Sequence, residues 1–129
     1  MAARLTDEER LLRAVPEAQV QLTLTDGFTY LGYQWHHETD SRLSPSGMPD
    51  LFAIHPVTAW MVICEVKKEK GKLRPQQRVW LQAAGYDPDG EEPFVVHHQL
   101  RRVVGIARPS SLDAWLEMLV AGSYRGSPS

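Results

Sequence analysis

Three charged side chains near the middle of the sequence have the types and spacing of a catalytic metal site. Asp50 comes directly before the apolar run Leu-Phe-Ala-Ile, and Glu65 and Lys67 come at the end of a second run, Met-Val-Ile-Cys. Because successive side chains of a strand point to opposite faces, Glu65 and Lys67 fall on the same face. If the two runs pair as a hairpin, Asp50 can join them there.

The predicted chemistry is metal-assisted hydrolysis of a phosphodiester. Two carboxylates, the backbone carbonyl of Val66 and several waters would suit Mg²⁺, which prefers octahedral oxygen coordination. The ammonium group of Lys67 beside such an ion can position a water and help to deprotonate it. We therefore predict that Asp50, Glu65 and Lys67 are catalytic and that the two carboxylates bind metal.

The same short pattern also has an ordinary interpretation. A Pro-Asp pair is common in turns, and Glu-x-Lys is common on the solvent face of an edge strand, so the motif alone is weak. The context favours the catalytic interpretation, because both apolar runs are nearly continuous, as in interior strands covered on both faces. A charged pair at the end of a buried strand is costly unless something compensates it, and a metal ion would.

Length and composition predict one domain. The 129 residues, 43% of them apolar and 23% charged, suffice for a single core. We predict a domain over 1–122 and a disordered tail over 123–129. The single cysteine, Cys64, can form no internal disulfide, and we interpret it as a small buried residue. The sequence contains no apolar run of membrane-span length and no signal peptide pattern, so we expect a soluble protein of the cytoplasm.

The charge distribution is more informative than the net charge of −2. From Lys67 to Arg78, both included, there are six basic residues against one acid, Glu69. Such a stripe directly after the predicted metal site is where a phosphate backbone would lie. A lysine-rich loop that is merely solvated remains the alternative. The predicted phosphate contacts in this stripe are Lys68, Lys70, Lys72 and Arg74.

Hydrophobic periodicity and capping residues predict four helices. Thr6 and Glu9 form a capping-box pattern at the start of a short first helix. A second helix is predicted to begin at Glu17, directly after Pro16, although the local pattern predicts a turn at Asp26-Gly27. The third helix is predicted to begin at Pro75, with Val79, Trp80 and Ala83 on its buried face. The fourth is predicted to be capped by Ser110 and Asp113 and to bury Leu112, Trp115, Leu116 and Leu119.

Strands are predicted where apolar runs lie between turn signals. The predicted segments are 33–36, 50–54, 60–67, 94–96 and 103–107. A polar loop is predicted at 40–47, and another between the third helix and the fourth strand. Large aromatic side chains are more often part of a core than binding platforms, and we assign to the core Trp35, Trp60, Trp80 and Trp115.

The chain resembles the VRR-NUC branch of the PD-(D/E)XK nuclease superfamily, especially its small stand-alone members from phages and bacteria. The resemblance covers about residues 16–85, with a weaker similarity at 103–120. It rests on Pro16-Glu17-Ala18-Gln19-Val20-Gln21, Gly32-Tyr33, Asp40-Ser41-Arg42, Gly47-x-Pro49-Asp50-Leu51, Glu65-Val66-Lys67 and Gly71-Lys72-Leu73-x-Pro75-x-Gln77 leading to Trp80. It also favours a second helix that runs from Glu17 to about Leu31 and ends at Gly32, and that therefore continues through Asp26-Gly27, where the local pattern predicts a turn.

The resemblance implies an α/β fold with a restriction-endonuclease-like core, in which α-helices flank a mixed central β-sheet. It implies Mg²⁺ or Mn²⁺ held by Asp50 and Glu65, assisted by the carbonyl of Val66. The carboxylate of Glu17 would approach the metal from its helix. Gln77 would lie close to the active site and would be a fourth catalytic residue, beside Asp50, Glu65 and Lys67.

The resemblance further implies a DNA endonuclease that selects branched or junction DNA, in the manner of a Holliday junction resolvase. Repair, recombination or phage DNA processing would be its setting, in a bacterial or phage-infected cytoplasm, and a homodimer would suit a two-fold substrate. Ser41 and Arg42 would contact DNA, because a guanidinium group binds phosphate oxygens bidentately. The alternative is a non-catalytic DNA-binding or architectural module that keeps the fold. Two intact carboxylates argue against it, since they repel phosphate unless a cation is present.

Adjacent histidines at 36–37 and 97–98 suggest zinc at first sight. Neighbouring strand residues point to opposite faces, so neither pair can chelate one ion. No recognisable zinc-ligand spacing occurs, and zinc is disfavoured.

Overall fold

The computed structural model describes residues 4–38 and 47–124, which form a five-stranded sheet and four α-helices. The strands are β1 Gln34–His37, β2 Leu51–Ile54, β3 Met61–Val66, β4 Phe94–His97 and β5 Arg102–Ala107. The helices are α1 Asp7–Ala14, α2 Glu17–Leu31, α3 Pro75–Ala83 and α4 Leu112–Gly122, with a 3₁₀ turn at Pro109–Ser111. The strand order is β1-β2-β3-β5-β4. All five predicted strands are present, each within one residue of its predicted ends.

The sheet is mixed, and its single parallel pair lies at its centre. β3 runs parallel to β5, whereas β1 with β2, β2 with β3, and β4 with β5 are antiparallel. β2 and β3 form the predicted hairpin, in which Leu51 lies opposite Cys64. The expected α/β fold with a mixed central sheet is confirmed.

Helices cover both faces of the sheet. Cys64 and Val66 of β3 pack with Trp115 of α4 in one core, to which α2 also contributes. Ile63, on the opposite face of β3, packs with Leu81 of α3 in a second core. This alternation is the one that the sequence predicts, and it confirms Cys64 as a buried residue. Glu65 therefore lies on the α3 face.

Two glycines explain how α2 spans the predicted turn and where it ends. A Cβ at Gly27 would lie 3.2 Å from Cδ2 of Leu116, so the glycine allows α4 to approach closely. The helix ends at Gly32, whose φ of 86° is left-handed, a conformation that costs glycine little. The helix predicted from Glu17 to Leu31 is confirmed, and the local turn prediction at Asp26-Gly27 is wrong.

The first and last helices begin differently. Thr6 accepts a hydrogen bond from the backbone N–H of Glu9 at 3.1 Å, as the capping pattern predicts for α1. The predicted cap of α4 by Ser110 and Asp113 is wrong. The 3₁₀ turn places Ser111 at the N-cap without a side-chain cap bond, and the Ser110 N–H donates to Oε1 of Glu69 instead.

Two predictions about burial are also wrong. In α3 the buried residues are Gln77 and Leu81, while Val79 is 57% exposed and Ala83 is exposed. The helix is rotated so that Gln77 meets a buried partner, which apolar spacing alone does not reveal. Trp35 is 42% exposed, because β1 is an edge strand and its indole lies at the rim of the core, with Nε1 donating to Thr29.

Some predictions fall outside the described residues. They include most of the predicted loop at 40–47, with Ser41 and Arg42, and most of the predicted tail at 123–129. Among the described segments, no helix is long and apolar enough to cross a membrane.

Gly105 is a testable element of the central strand pair. A Cβ there would lie 2.7 Å from Cβ of Phe94 and would overlap the carbonyl of Pro93. Gly105→Ala should therefore destabilise the protein by about 1–3 kcal/mol, the usual cost of overpacking. Urea unfolding measures the change. Gly90→Ala is the control, since its nearest atom would lie 3.4 Å away, and equal stability of both variants would contradict this account.

Candidate active site

Asp50 joins the beginning of β2 to the end of β3. Its Oδ2 accepts a hydrogen bond from the backbone N–H of Val66 at 2.9 Å. This bond holds a half-buried carboxylate next to the last residues of β3, where Glu65 lies. The hairpin therefore brings Asp50 and Glu65 together across two strands, as predicted.

Glu65 is a buried carboxyl group with an incomplete set of partners. Only 1% of the residue is exposed, and its Oε1 accepts from Nε2 of Gln77 at 3.2 Å. The Gln77 amide is oriented by its own Oε1, which accepts from the backbone N–H of Arg74 at 2.8 Å. The second oxygen of Glu65, Oε2, is buried without a hydrogen-bond partner. The first turn of α3 thus positions Gln77 to hold one carboxylate oxygen while the other has no donor.

The surroundings of Glu65 favour its protonated form in the metal-free protein. Burial, followed by the interaction with the neighbouring Asp50 carboxyl group, raises the pKa of Glu65 to about 9. Lys67 lowers this pKa, and the charge of Glu17 raises it. Two ionised carboxylates in hydrogen-bonding range have no donor to offer each other. The pair therefore needs a proton or a cation.

The donor set fits a hard divalent cation. Oε2 of Glu65 is an oxygen without a partner, and the carboxyl group to which it belongs interacts with that of Asp50. Within the described segments, no group of three or more His, Cys, Asp or Glu side chains is arranged to hold a metal ion. Water and backbone oxygens would therefore complete the coordination, which is usual for Mg²⁺. The role of the Val66 carbonyl stays a prediction.

Glu17 lies at the first position of α2, as predicted, and is exposed. Its charge reaches Glu65, but as the smallest of the influences on that pKa. The structure does not bring Glu17, Asp50 and Glu65 together as a three-carboxylate group. Direct metal binding by Glu17 stays a prediction.

Lys67 and the basic loop leave the sheet next to the carboxylates. The backbone N–H of Lys67 donates to the carbonyl of Ala107 at 3.0 Å, which extends the parallel pairing of β3 with β5 by one residue. Lys67 is half-buried. The predicted phosphate contacts that follow are all exposed: Lys68, Lys70, Lys72 and Arg74. Their exposure leaves them accessible to a ligand.

One residue at this edge escaped the sequence analysis. Arg108 follows β5 and donates from Nη1 to the carbonyl oxygens of Lys68 and Gly71, both at 2.7 Å. The only signal in the sequence was its position after a strand. That position is informative only once β3 and β5 are known to be parallel neighbours.

The histidines have separate local partners. Nδ1 of His37 lies 3.1 Å from Nε2 of Gln21, and Nε2 of His97 lies 3.1 Å from the carbonyl of Gly85. His36 lies 3.6 Å from a carboxylate oxygen of Glu38 on the surface. These contacts do not gather the histidines into one site.

Comparison with known proteins identifies the segment that carries these residues. The family model of the VRR-NUC domain matches residues 27–85. Neither the search of curated proteins nor that of solved structures gives a match. The matched segment contains Asp50, Glu65, Lys67 and Gln77, whereas Glu17 and Arg108 lie outside it. The match identifies a VRR-NUC domain, a nuclease-type domain whose substrate is DNA, over residues 27–85 of the chain.

Proposed function

We propose that the protein is a DNA endonuclease that uses Mg²⁺ or Mn²⁺ to hydrolyse phosphodiester bonds. The observation that carries the proposal is the buried carboxyl group of Glu65, whose Oε2 has no hydrogen-bond partner and which interacts with the carboxyl group of Asp50. A buried pair of carboxyl groups that share no donor is costly, and either a proton or a bound cation removes that cost. A divalent cation would satisfy both carboxylates.

Each side chain has a distinct role in the proposed reaction. Asp50 and Glu65 would hold the cation, which supplies positive charge to the phosphate and activates a water when bound. The bond from Val66 N–H fixes Asp50, and Gln77 fixes one oxygen of Glu65. Lys67 would orient the water that attacks phosphorus, after which one P–O ester bond breaks and its oxygen leaves with a proton.

A catalytic role explains the carboxylates better than a binding role does. Two like charges 4 Å apart repel by about 4 kcal/mol at an effective dielectric constant near 20. Carboxylates placed beside phosphate would therefore oppose DNA binding unless a cation lay between them. A non-catalytic DNA-binding module would have no need of such a pair.

The finer parts of the proposal concern the substrate and assembly. We extend it to branched or junction DNA, to a homodimer that matches the symmetry of such a substrate, and to repair, recombination or phage DNA processing in the cytoplasm. The resemblance of the motifs supports these extensions. The exposed basic loop beside Lys67 supports DNA contact, because Lys and Arg side chains neutralise backbone phosphates. A panel of branched and linear DNAs incubated with Mg²⁺ or Mn²⁺ is the experiment that tests substrate choice.

Asp50→Asn and Glu65→Gln should each lower DNA cleavage by about 100-fold or more, the scale for losing a catalytic group. Each substitution removes one charge with little change in volume. Plasmid nicking under matched Mg²⁺ measures the loss, and DNA binding in EDTA should persist or tighten because repulsion falls. Glu117→Gln, an exposed position on α4, is the control. Full activity in either variant would refute the metal assignment, whereas binding without cleavage by the unsubstituted protein would favour the non-catalytic module.

The pH dependence of stability offers a test without DNA. The pKa of Glu65 is raised from 4.5 to about 9, so the folded state retains a proton that the unfolded state releases. Its contribution to stability is therefore complete below pH 4.5 and is lost as the pH rises through about 9. In EDTA, the melting temperature should fall over this range more in the unsubstituted protein than in Glu65→Gln.

Mn²⁺ should reverse that loss at alkaline pH, because an ion that binds only the folded state stabilises it. The recovery should be absent in Glu65→Gln. Parallel melting curves for the two proteins across the pH range would contradict the buried, proton-binding state of Glu65.

Glu17→Gln separates two roles for the first residue of α2. In the first role, Glu17 is an exposed first-turn residue that stabilises the helix by about 0.3–1 kcal/mol through its interaction with the helix dipole. It then has no part in the chemistry. If Glu17 instead acts on the metal, directly or through water, then its replacement should lower cleavage, and extra Mn²⁺ should partly restore the activity. We expect the second result, with little change in melting temperature. Unchanged activity throughout a Mn²⁺ titration would remove Glu17 from the site.

A further inference from the structure

Arg108 and Lys67 leave the sheet side by side. Val66 pairs with Ala107 in the parallel ladder, so the residues that follow them, Lys67 and Arg108, begin at the same edge. Two basic side chains at this edge would both be candidates for phosphate contacts by charge alone. Their hydrogen bonds distinguish them.

One guanidinium nitrogen of Arg108 holds the turn that follows Lys67. Nη1 donates to the carbonyls of Lys68 and Gly71 at 2.7 Å and has a longer contact of 3.3 Å to the carbonyl of Glu69. A second link joins the same segments, since the backbone N–H of Ser110 donates to Oε1 of Glu69 at 3.0 Å. The two hydrogens of Nη1 are therefore shared among three backbone acceptors.

In this arrangement the turn presents its carbonyls to Arg108 and its lysines to solvent. The carbonyls of the turn at 68–71 face Arg108, and the side chains of Lys68 and Lys70 are exposed. A Cβ at Gly71 would lie 3.5 Å from Cδ of Lys67, so the turn also flanks the stem of that lysine. A turn held by its carbonyls loses less backbone entropy when its lysines bind a ligand.

We infer that Arg108 is a positioning residue for DNA binding, which acts by holding the 68–71 turn and does not contact phosphate itself. The inference rests on the proposed function, because it assumes that the exposed lysines bind DNA. The charge of Arg108 alone would suggest a phosphate contact, whereas its hydrogen bonds indicate that it holds the backbone of the turn.

A double-mutant cycle in EDTA tests the inference without catalysis. Arg108→Gln should weaken DNA binding by about tenfold, a change within the usual range for coupled neighbours. In a background where Lys68, Lys70 and Lys72 are alanine, the same substitution should change binding by less than about twofold, because its effect passes through those lysines. Effects that simply add would show an independent phosphate contact and overturn the inference.

Two further variants separate position from charge. Arg108→Lys keeps the charge but is one atom shorter and lacks the planar fork, so binding should stay weakened; full recovery would indicate a phosphate contact. Arg101→Gln is the matched control, because Arg101 also donates to a backbone carbonyl, that of Thr58 at 2.6 Å, but at the other end of β5. It removes the same charge and should leave DNA binding unchanged.

Hydrogen exchange tests the turn directly. The amide of Gly71 donates to the carbonyl of Lys68 at 3.1 Å, and its exchange should accelerate by about tenfold or more in Arg108→Gln but not in Arg101→Gln. Unchanged exchange would overturn the inference. Failure of the unsubstituted protein to bind DNA would instead overturn the proposed function, whereas normal binding with additive substitutions would overturn only the role of Arg108.

Discussion

The burial of the Glu65 carboxyl group is the constraint around which this molecule is arranged. An ionised carboxylate without compensation is expensive inside a protein, and here only one of its oxygens has a donor, Nε2 of Gln77. Burial and the neighbouring Asp50 raise its pKa to about 9, so the metal-free fold keeps a proton there. A site that holds a proton at neutral pH can exchange it for a cation. This competition links the stability of the fold to the proposed chemistry.

The two faces of the sheet have different roles: one contains most of the apolar core, and the other contains the candidate active site. The face toward α2 and α4 contains the larger apolar core, including Val66 and Trp115. The face toward α3 contains a smaller apolar core. It also contains the hydrogen bond that Gln77 of α3 donates to Glu65. Because β3 and β5 are parallel, their ends deliver Lys67 and Arg108 to one edge. The two carboxyl groups, the ammonium group of Lys67 and the basic turn therefore lie close to the ends of the two central strands. Binding sites in α/β sheets are commonly found at such strand ends.

At the site, the local sequence pattern predicted the orientation of some side chains but not the burial of others. The strand alternation at Glu65 and Lys67 follows from the pleat, which has a period of two in any strand. The buried side of α3 did not follow from its sequence, since Val79 is exposed and Gln77 is buried. A polar residue turned inward by one specific partner gives no periodic signal. Trp35 likewise became exposed because β1 lies at the edge of the sheet, a fact of strand order.

The sequence by itself determined the element types and the pairing of Asp50 with the Glu65 strand, because these depend on short-range periodicity and caps, whereas the continuation of α2 through Asp26-Gly27 followed from the family motifs and not from the local pattern. It also carried the VRR-NUC motif that the family match confirms. Only the tertiary structure decided the strand order, the rotation of α3 that places Gln77 against Glu65, and the meeting of Arg108 with a turn some forty positions earlier in the chain. The physical reason is that such contacts join segments distant in sequence. Their geometry is fixed by packing across the sheet, which no local pattern encodes.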